Sequence, residues 1–438
     1  MRTTHRRRLS ATLASATATT LALAGCGSAE PVASTGRADG SITYSFWGNP
    51  ARAEKVGTVI DLFAAAHPDA DVSVEVAEYL NYIERMTVRA AGGGLSCAIG
   101  MQSTFYTRYA EQDVLRPLDD LIESGEIDVS QIPDEVLEAG RVDGTQYMIP
   151  TGTFARLLGY NVDLVAESGA PPPTDDMTWD AYADWLREVQ AGLPEGVHAT
   201  EIEAPNMFSF TSWVIGHGEE MFDEGGLAFD QELLEEWFRF WLDLTDEGVT
   251  VPVDMLAEQN AALELTPLAQ GAAAVGTRDI PQLHITEQAL DGAGRGSEIA
   301  EVSIPSPDPG RSANVLGTNG ISIPTGCDQV GTAAAFIDFF VNDTEAALAF
   351  QSDNGILTNT RAQEALVDDA DTPDSVRRNV TTLRELTDSG DLTTTTYPSG
   401  LTTLTTELSR LYQEAAFGQT SVEDAASAFF TAAERALD

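Results

Sequence analysis

The 438-residue chain predicts an α/β fold in which strands and helices alternate. Two observations carry that expectation. Short runs of strand-like residues alternate with segments whose apolar residues recur every three to four positions. The first two such strands are joined through a helix, which makes them parallel neighbours. The length adds that the chain can form two domains of ordinary size.

The elements follow in order from Ile42. Ile42-Thr43-Tyr44-Ser45-Phe46-Trp47 reads as a strand. Val56, Val59, Ile60 and Phe63 then recur at helical spacing up to His67-Pro68, where the proline disfavours a helical conformation in the residue before it. Val72-Ser73-Val74-Glu75-Val76 alternates and forms a second strand. A helix near Leu80 to Ala91, a turn at Gly92-Gly93-Gly94, a strand over Ala98 to Met101 and a helix from Thr104 to Gln112 continue the alternation. Thr178 is placed to cap a helix that has Trp179 just inside it. Leu233, Leu234, Trp237, Phe238, Trp241 and Leu242 share one apolar helical face; Phe336, Phe339, Phe340 and Phe350 form part of another. Trp237 and Trp241, four apart, read as core. Val422 to Leu437 closes the chain as an amphipathic helix.

The N-terminus has the pattern of an export signal. Arg2, Arg6, Arg7 and Arg8 precede an uncharged stretch from Leu9 to Gly25, too short to span a bilayer and ending in small residues. Leu23-Ala24-Gly25-Cys26 resembles the bacterial lipobox, so residues 1–25 are expected to be a lipoprotein signal peptide and Cys26 the lipidated new N-terminus. Arg7-Arg8-Leu9 also allows a twin-arginine route. Residues 26–40, rich in Ala, Ser, Gly and Pro, read as a flexible tether to a membrane face. The expected location is the outer face of the cell membrane, held by lipid alone.

Charge limits the partners. Four of the 24 basic residues precede Cys26 and none of the 69 acidic residues does, so beyond Cys26 the chain is more acidic than the −45 of the whole. Nucleic acid and anionic headgroups are therefore not expected partners. The single lysine, Lys55, fits the codon usage of a high-GC bacterium of actinobacterial type. Beyond Cys26 only Cys97 and Cys327 remain, and in an oxidising compartment they form either one disulfide or two free thiols.

Catalytic motifs are absent. The chain lacks G-x-S-x-G, H-E-x-x-H, a Walker loop and a complete G-x-G-x-x-G. His67, His198, His217 and His284 are not at ligand spacing. Asp368-Asp369-Ala370-Asp371 lacks the glycine and downstream glutamate of an EF-hand loop. Asp119-Asp120, Glu201 with Glu203, and Glu219-Glu220 could in principle supply a glycosidase pair, but in so acidic a chain a solvated face is the plainer reading. No metal, no cofactor and no catalytic residue is expected.

Several segments in order resemble the extracellular solute-binding proteins of bacterial ABC importers, of the type that includes maltose-binding protein. They are Tyr44-Ser45-Phe46-Trp47-Gly48-Asn49-Pro50, the Phe63 to Asp69 helix end, Tyr109-Ala110-Glu111-Gln112, Leu118-Asp119-Asp120-Leu121, Gly144 to Pro150, Gly159 to Leu164, Thr178-Trp179-Asp180, Gly317 to Pro324, and Ala335 to Phe340. The resemblance implies a two-lobe periplasmic-binding-protein fold of type II, closing on ligand by hinge motion. Its first crossing falls near Pro150 to Ala155 and its second near Val315 to Gly320. Lobe 1 is then 41–151 plus 318–357, and lobe 2 is 152–317 plus 358–438. In that arrangement Cys97 opens one strand while Cys327 follows a neighbouring antiparallel strand, which favours a Cys97–Cys327 disulfide.

The resemblance further implies a monomeric, non-enzymatic substrate-binding component that captures a sugar or short oligosaccharide and passes it to a membrane permease. Sugar rings present apolar C–H faces and hydroxyl edges, so the cleft needs flat aromatics and polar side chains. Strand ends supply Trp47 and Asn49, Glu78 and Tyr79, then Gln102, Ser103 and Tyr106. The crossings supply Phe154, Thr318 and Asn319, and Trp213 lies in a polar context. Many sugar binders of the family carry a tryptophan after the segment corresponding to Gly271 to Gly276. Here Thr277-Arg278-Asp279 follows, which makes Arg278 and Asp279 candidates for gripping hydroxyls, or else marks a solute that is not an ordinary oligosaccharide. Tyr397 or Tyr412 is a candidate for a further stacking ring. The alternatives are a same-fold binder of a polyol, glycerol derivative or amine, and a surface glycosidase lipoprotein.

Overall fold

The computed structural model describes residues 38–223, 226–256, 263–296, 298–395, 397–398 and 400–437, with Leu80 described by its backbone alone. The signal sequence, Cys26 and the tether as far as residue 37 lie outside the described residues. Among the described residues no helix is long and apolar enough to cross a membrane.

Three parallel strands open the fold: β1 (Ser41–Trp47), β2 (Asp71–Ala77) and β3 (Ala98–Gln102), with β1 in the centre. The helix Pro50–Ala66 joins the first two and Tyr79–Gly92 the next two. These elements lie within a few residues of the sequence expectation. The longest strand, β4 (Ile149–Asn161), follows. After it come β5 (His198–Thr200), β6 (Ala273–Asp279), β7 (Ile299–Val302), β8 (Val315–Ser322), β9 (Ile356–Leu357) and β10 (Thr393–Thr394). The order across the sheet is β2-β1-β3-β8-β4-β6-β5, with β7 and β9 also on β4 and β10 on β8.

β4 serves two pairing regions. Ile149 to Ala155 pairs with β8 and β9, whereas Arg156 to Asn161 pairs with β6 and β7, all antiparallel. The apolar residues divide in the same way. One core gathers Phe63, Phe336, Phe340, Ile149 and Ile321 around the first strands, extended by a smaller cluster around Trp47, Tyr82 and Met101. The other gathers Trp179, Tyr182, Trp237, Trp241, Tyr412 and Phe429. Trp237 and Trp241 are fully buried there, and Thr178 caps its helix by accepting from Ala181 N at 3.2 Å, as the sequence implied.

Within the segment 358–438, which the resemblance places in lobe 2, Ala362, Leu366, Val380 and Leu383, from the helices Thr360–Asp368 and Asp374–Ser389, pack into the first core. The reason is local: β9 pairs with the first half of β4, and the chain continues on that side. It reaches the second core only at Tyr397, after β10 has paired in parallel with Val315 and Leu316 of β8. Among the described residues β4, β8 and β10 carry the chain between the cores, and these crossings lie side by side.

The sulfurs of Cys97 and Cys327 are bonded, with Cα atoms 4.9 Å apart. The link ties the start of β3 to the turn after β8, its antiparallel neighbour. A cross-link over 230 residues restricts the unfolded chain strongly. Replacing both cysteines with serine is expected to lower unfolding free energy by about 2–4 kcal/mol in a urea titration, with unchanged far-ultraviolet dichroism. Thiol titration of the unreduced, denatured protein beginning at Ser28 is expected to find no free thiol.

Candidate functional site

Parallel strands end along one edge of their sheet, and the loops there are where α/β proteins place ligands. In this chain Trp47 ends β1, Tyr79 follows β2 and Gln102 ends β3, and all three line a cavity of about 350 Å³ between the two cores. That is the lower part of the size range of small-molecule sites, roughly 300–1,000 Å³. The first wall is preorganised. Trp47 and Tyr79 meet edge to face with centroids 5.8 Å apart, and the Tyr79 hydroxyl donates to Gln102 Oε1 at 3.1 Å. Thr104 donates to the same oxygen at 2.9 Å. Tyr79 is 39% exposed, so its ring can meet a solute.

The floor comes from the crossings. Phe154 and Arg156 alternate onto one face of β4, and Val315 and Gly317 onto the facing side of β8. Phe154 lies opposite Gly317, and a Cβ on Gly317 would sit 2.2 Å from the Phe154 ring. Glycine there lets the ring lie flat across β8.

The second wall carries Phe208, Asp279, Gln282 and Tyr397. Arg156 and Asp279 face each other across the β4–β6 ladder and form an ion pair at 2.9 Å, with the Arg156 guanidinium 5.5 Å from the Phe208 centroid. Asp279 also precedes the helix Ile280–Gly292, and its backbone N–H donates to Gln282 Oε1 at 3.1 Å. Tyr397 packs edge to face on Phe208, and burial raises its phenol pKa.

Arg52, from the first turn of Pro50–Ala66, reaches back to the cleft. Its Nε donates to Asp353 Oδ1 at 2.6 Å, Nη2 to the Asp353 carbonyl at 2.9 Å and Nη1 to the Trp47 carbonyl at 3.0 Å. Lys55 shares Asp353 at 3.0 Å. Burial alone would raise the Asp353 carboxyl, but Arg52 and Lys55 outweigh it and hold its pKa below the usual carboxylate value. Asp353 follows Gln351 and Ser352, both left-handed with φ of 55° and 58°, in a loop wedged against β4. A Cβ on Gly152 would lie 2.5 Å from the Asn354 carbonyl oxygen.

Of the residues expected from sequence, Trp47, Tyr79, Gln102, Ser103, Phe154, Asp279 and Tyr397 meet in this cleft. The others are placed elsewhere. The Asn49 side chain caps its helix, accepting from Arg52 N at 2.9 Å. Glu78 is exposed at the start of the next helix and does not line the cavity, although its neighbour Tyr79 does. Tyr106 is buried, donating to the Arg141 carbonyl at 2.7 Å, and burial pushes its phenol up to about 12. Trp213 packs into the second core between Trp179 and Trp237. Thr318 is fully buried and joined through its backbone to Ser103, while Asn319 donates to the Asn354 carbonyl at 3.0 Å. Tyr412 is in the second core.

Arg278 turns inward. It bonds both oxygens of Glu201, at 2.8 and 2.9 Å, and Thr266 at 2.8 Å. Glu203, two residues on, accepts from Thr277 N at 2.8 Å, Thr277 Oγ1 at 2.6 Å and Ser209 Oγ at 2.8 Å. Both acids are almost fully buried and occupied by protein donors, so this pair is scaffold for the second wall. The charge pair at the cleft is there, but its arginine is Arg156.

A profile of the family described as bacterial extracellular solute-binding protein matches residues 58–403. The chain belongs to that family. Solved structures agree on the fold of this solute-binding protein, the two-lobe maltose-binding type. An ABC substrate-binding protein from Listeria monocytogenes in complex with cycloalternan is 19% identical, with 91% of this chain and 98% of that chain covered and a TM-score of 0.76. The GacH receptor of Streptomyces glaucescens, solved unliganded and with acarbose, is 18% identical over 91% and 98%, at 0.73. An oligogalacturonide-binding protein from Yersinia enterocolitica in complex with saturated digalacturonic acid is 18% identical over 91% and 98%, at 0.78.

Two outcomes follow for the solute-binding protein. Arg278→Ala leaves Glu201 buried without its counter-charge and is expected to cost about 3–5 kcal/mol of stability by chemical denaturation. Because the folded-state pKa of Asp353 is lowered, its contribution is complete above the ordinary carboxylate pKa and is lost as pH falls through the lowered value. Asp353→Asn should therefore be about 1–3 kcal/mol less stable than the parent at pH 7, with the gap closing in strong acid.

Proposed function

We propose that this chain is the lipid-anchored, monomeric solute-capturing component of an ABC importer, and that its solute is a sugar or short oligosaccharide. The observation that carries the reading is the composition of the cleft. Five aromatic side chains, Trp47, Tyr79, Phe154, Phe208 and Tyr397, alternate with polar groups contributed from beside both cores. Rings suit the C–H faces of pyranoses, and Gln102, Ser103, Arg156, Asp279 and Gln282 suit hydroxyl edges. Three structural relatives were solved with saccharides, which supports the class.

The mechanism is a population shift. A solute that contacts both walls binds best when they are close together, so capture favours the closed form that a permease would recognise. No bond is made or broken. The lipobox-like Leu23-Ala24-Gly25-Cys26 is the basis for the anchor. The proposed lobes are 41–151 with 318–357 and 152–317 with the C-terminal segment, amended so that the helices ending at Ser389 go with lobe 1.

A thermal-shift screen of the protein beginning at Ser28 against mono- to tetrasaccharides, polyols and polyamines tests this reading, because a solute bound only by the folded state raises Tm. A shift with one saccharide set supports it; a shift with polyols or polyamines alone removes the carbohydrate class. With the stabilising saccharide, Tyr79→Ala is expected to weaken binding about tenfold, or about 1.4 kcal/mol, by calorimetry, while leaving the unliganded Tm nearly unchanged because the side chain is partly exposed.

A further inference from the structure

Each guanidinium at the cleft is already paired with a carboxylate of the protein, Arg52 with Asp353 and Arg156 with Asp279, and we infer that the solute carries no net charge: a neutral saccharide, neither an acid nor an amine. This rests on the carbohydrate reading above and narrows it.

An amine is disfavoured by what the rings already face. Arg156 lies 5.5 Å from the Phe208 centroid, so a cation–π position on this wall holds the protein's own guanidinium. The one carboxylate among the described cleft-lining residues, Asp279, is 2.9 Å from Arg156. A cationic solute would have to draw Asp279 away from that partner with a second guanidinium, Arg52, lining the same cavity.

An acid fares no better. A carboxylate solute taking Arg156 would compete with Asp279 and come within a few ångströms of a like charge in a partly desolvated site. At Arg52 it would face Asp353, already held by Nε at 2.6 Å. Lys55, the remaining cation of this group, is bonded to Asp353 and is not among the cleft-lining residues. At longer range the net charge of −45 repels anions from the whole molecule.

A hydroxyl has no such conflict, because it donates and accepts. Each nitrogen of Arg52 makes one bond to the protein, so both terminal nitrogens keep a second N–H. Asp279 retains lone pairs beside Arg156. A neutral diol can bridge such a pair while leaving its charges matched, and each bond it makes is charge-assisted.

The test compares charge-matched probes on the protein beginning at Ser28. The neutral set is malto-, cello-, xylo- and galacto-oligosaccharides of two to four units. The acidic set is di- and trigalacturonate with glucuronate, and the cationic set is glucosamine oligomers with spermidine. The expected result is a Tm rise with a neutral probe alone, and a Kd that changes less than about twofold between roughly 0.05 and 0.5 M NaCl. Stabilisation by an acidic or cationic probe, or an affinity that falls steeply with salt, overturns the inference while leaving a binding protein. No shift with any set overturns the carbohydrate reading and the inference with it.

Asp279→Asn supplies a second arm, since asparagine can still cap the following helix while the carboxylate charge is removed. Digalacturonate, without effect on the parent, is expected to raise the Tm of this variant. Failure to do so overturns the role given to Asp279 in excluding acids.

Discussion

The backbone continuity of β4 is the constraint on which the rest depends. Thirteen residues of one strand run through both pairing regions, changing partners between Ala155 and Arg156. Side chains alternate along a strand, so the phase that puts Phe154 and Arg156 into the cleft is also the phase that puts Ala155 and Leu157 into the first core. Inserting or deleting one residue near the change of partner would turn one side inside out relative to the other. Both walls are therefore in register because a single strand sets it. Relative motion of the cores has to be absorbed where β4, β8 and β10 cross together, where Gly152 and Gly317 already leave no space for a side chain.

Behind each wall a carboxylate, partly buried in Asp353 and almost fully buried in Glu203, organises a site group without itself lining the cavity. Asp353 orients Arg52 and, through it, the Trp47 carbonyl. Glu203 gathers Thr277 and Ser209, whose chain neighbours include Arg278 and Phe208. Such groups are costly to bury and stay favourable only with every partner in place. The unusual backbone at Gln351 and Ser352 belongs to the same economy of position, since it delivers Asp353 to Arg52.

Much of the fold was legible because it is written locally. The strands before Trp47 and Gln102, the Thr178 cap and the final helix follow from periodicity and capping chemistry. The ends of the parallel strands then located Trp47, Gln102 and Ser103. Depth was not legible. Tyr106, Trp213 and Arg278 have residue types that suit a site, but burial is decided by elements far away in sequence, such as Glu201 for Arg278 and the Trp237 helix for Trp213. Arg52, Arg156 and Phe208 were missed for the converse reason. Nothing near them announces a site; Arg52 is aimed by Asp353, 301 residues later. The alternation of β4 beyond Phe154 was the one available signal for Arg156. The packing of the helices after Leu357 was not legible either, because a two-residue strand, β9, decides the side on which they lie.

The pairing of Lys55 with Asp353 has a chemical consequence outside binding. Free amines condense with the open-chain aldehydes of reducing sugars, and the adducts accumulate on long-lived exported proteins. A chain with one lysine, its ammonium set against a carboxylate, offers that reaction almost no side-chain nucleophile. Its basic side chains are otherwise arginines, which ion-pair with the geometry carboxylates require while staying protonated throughout the physiological range. The composition that makes this molecule so acidic would also make it durable in solutions rich in sugar.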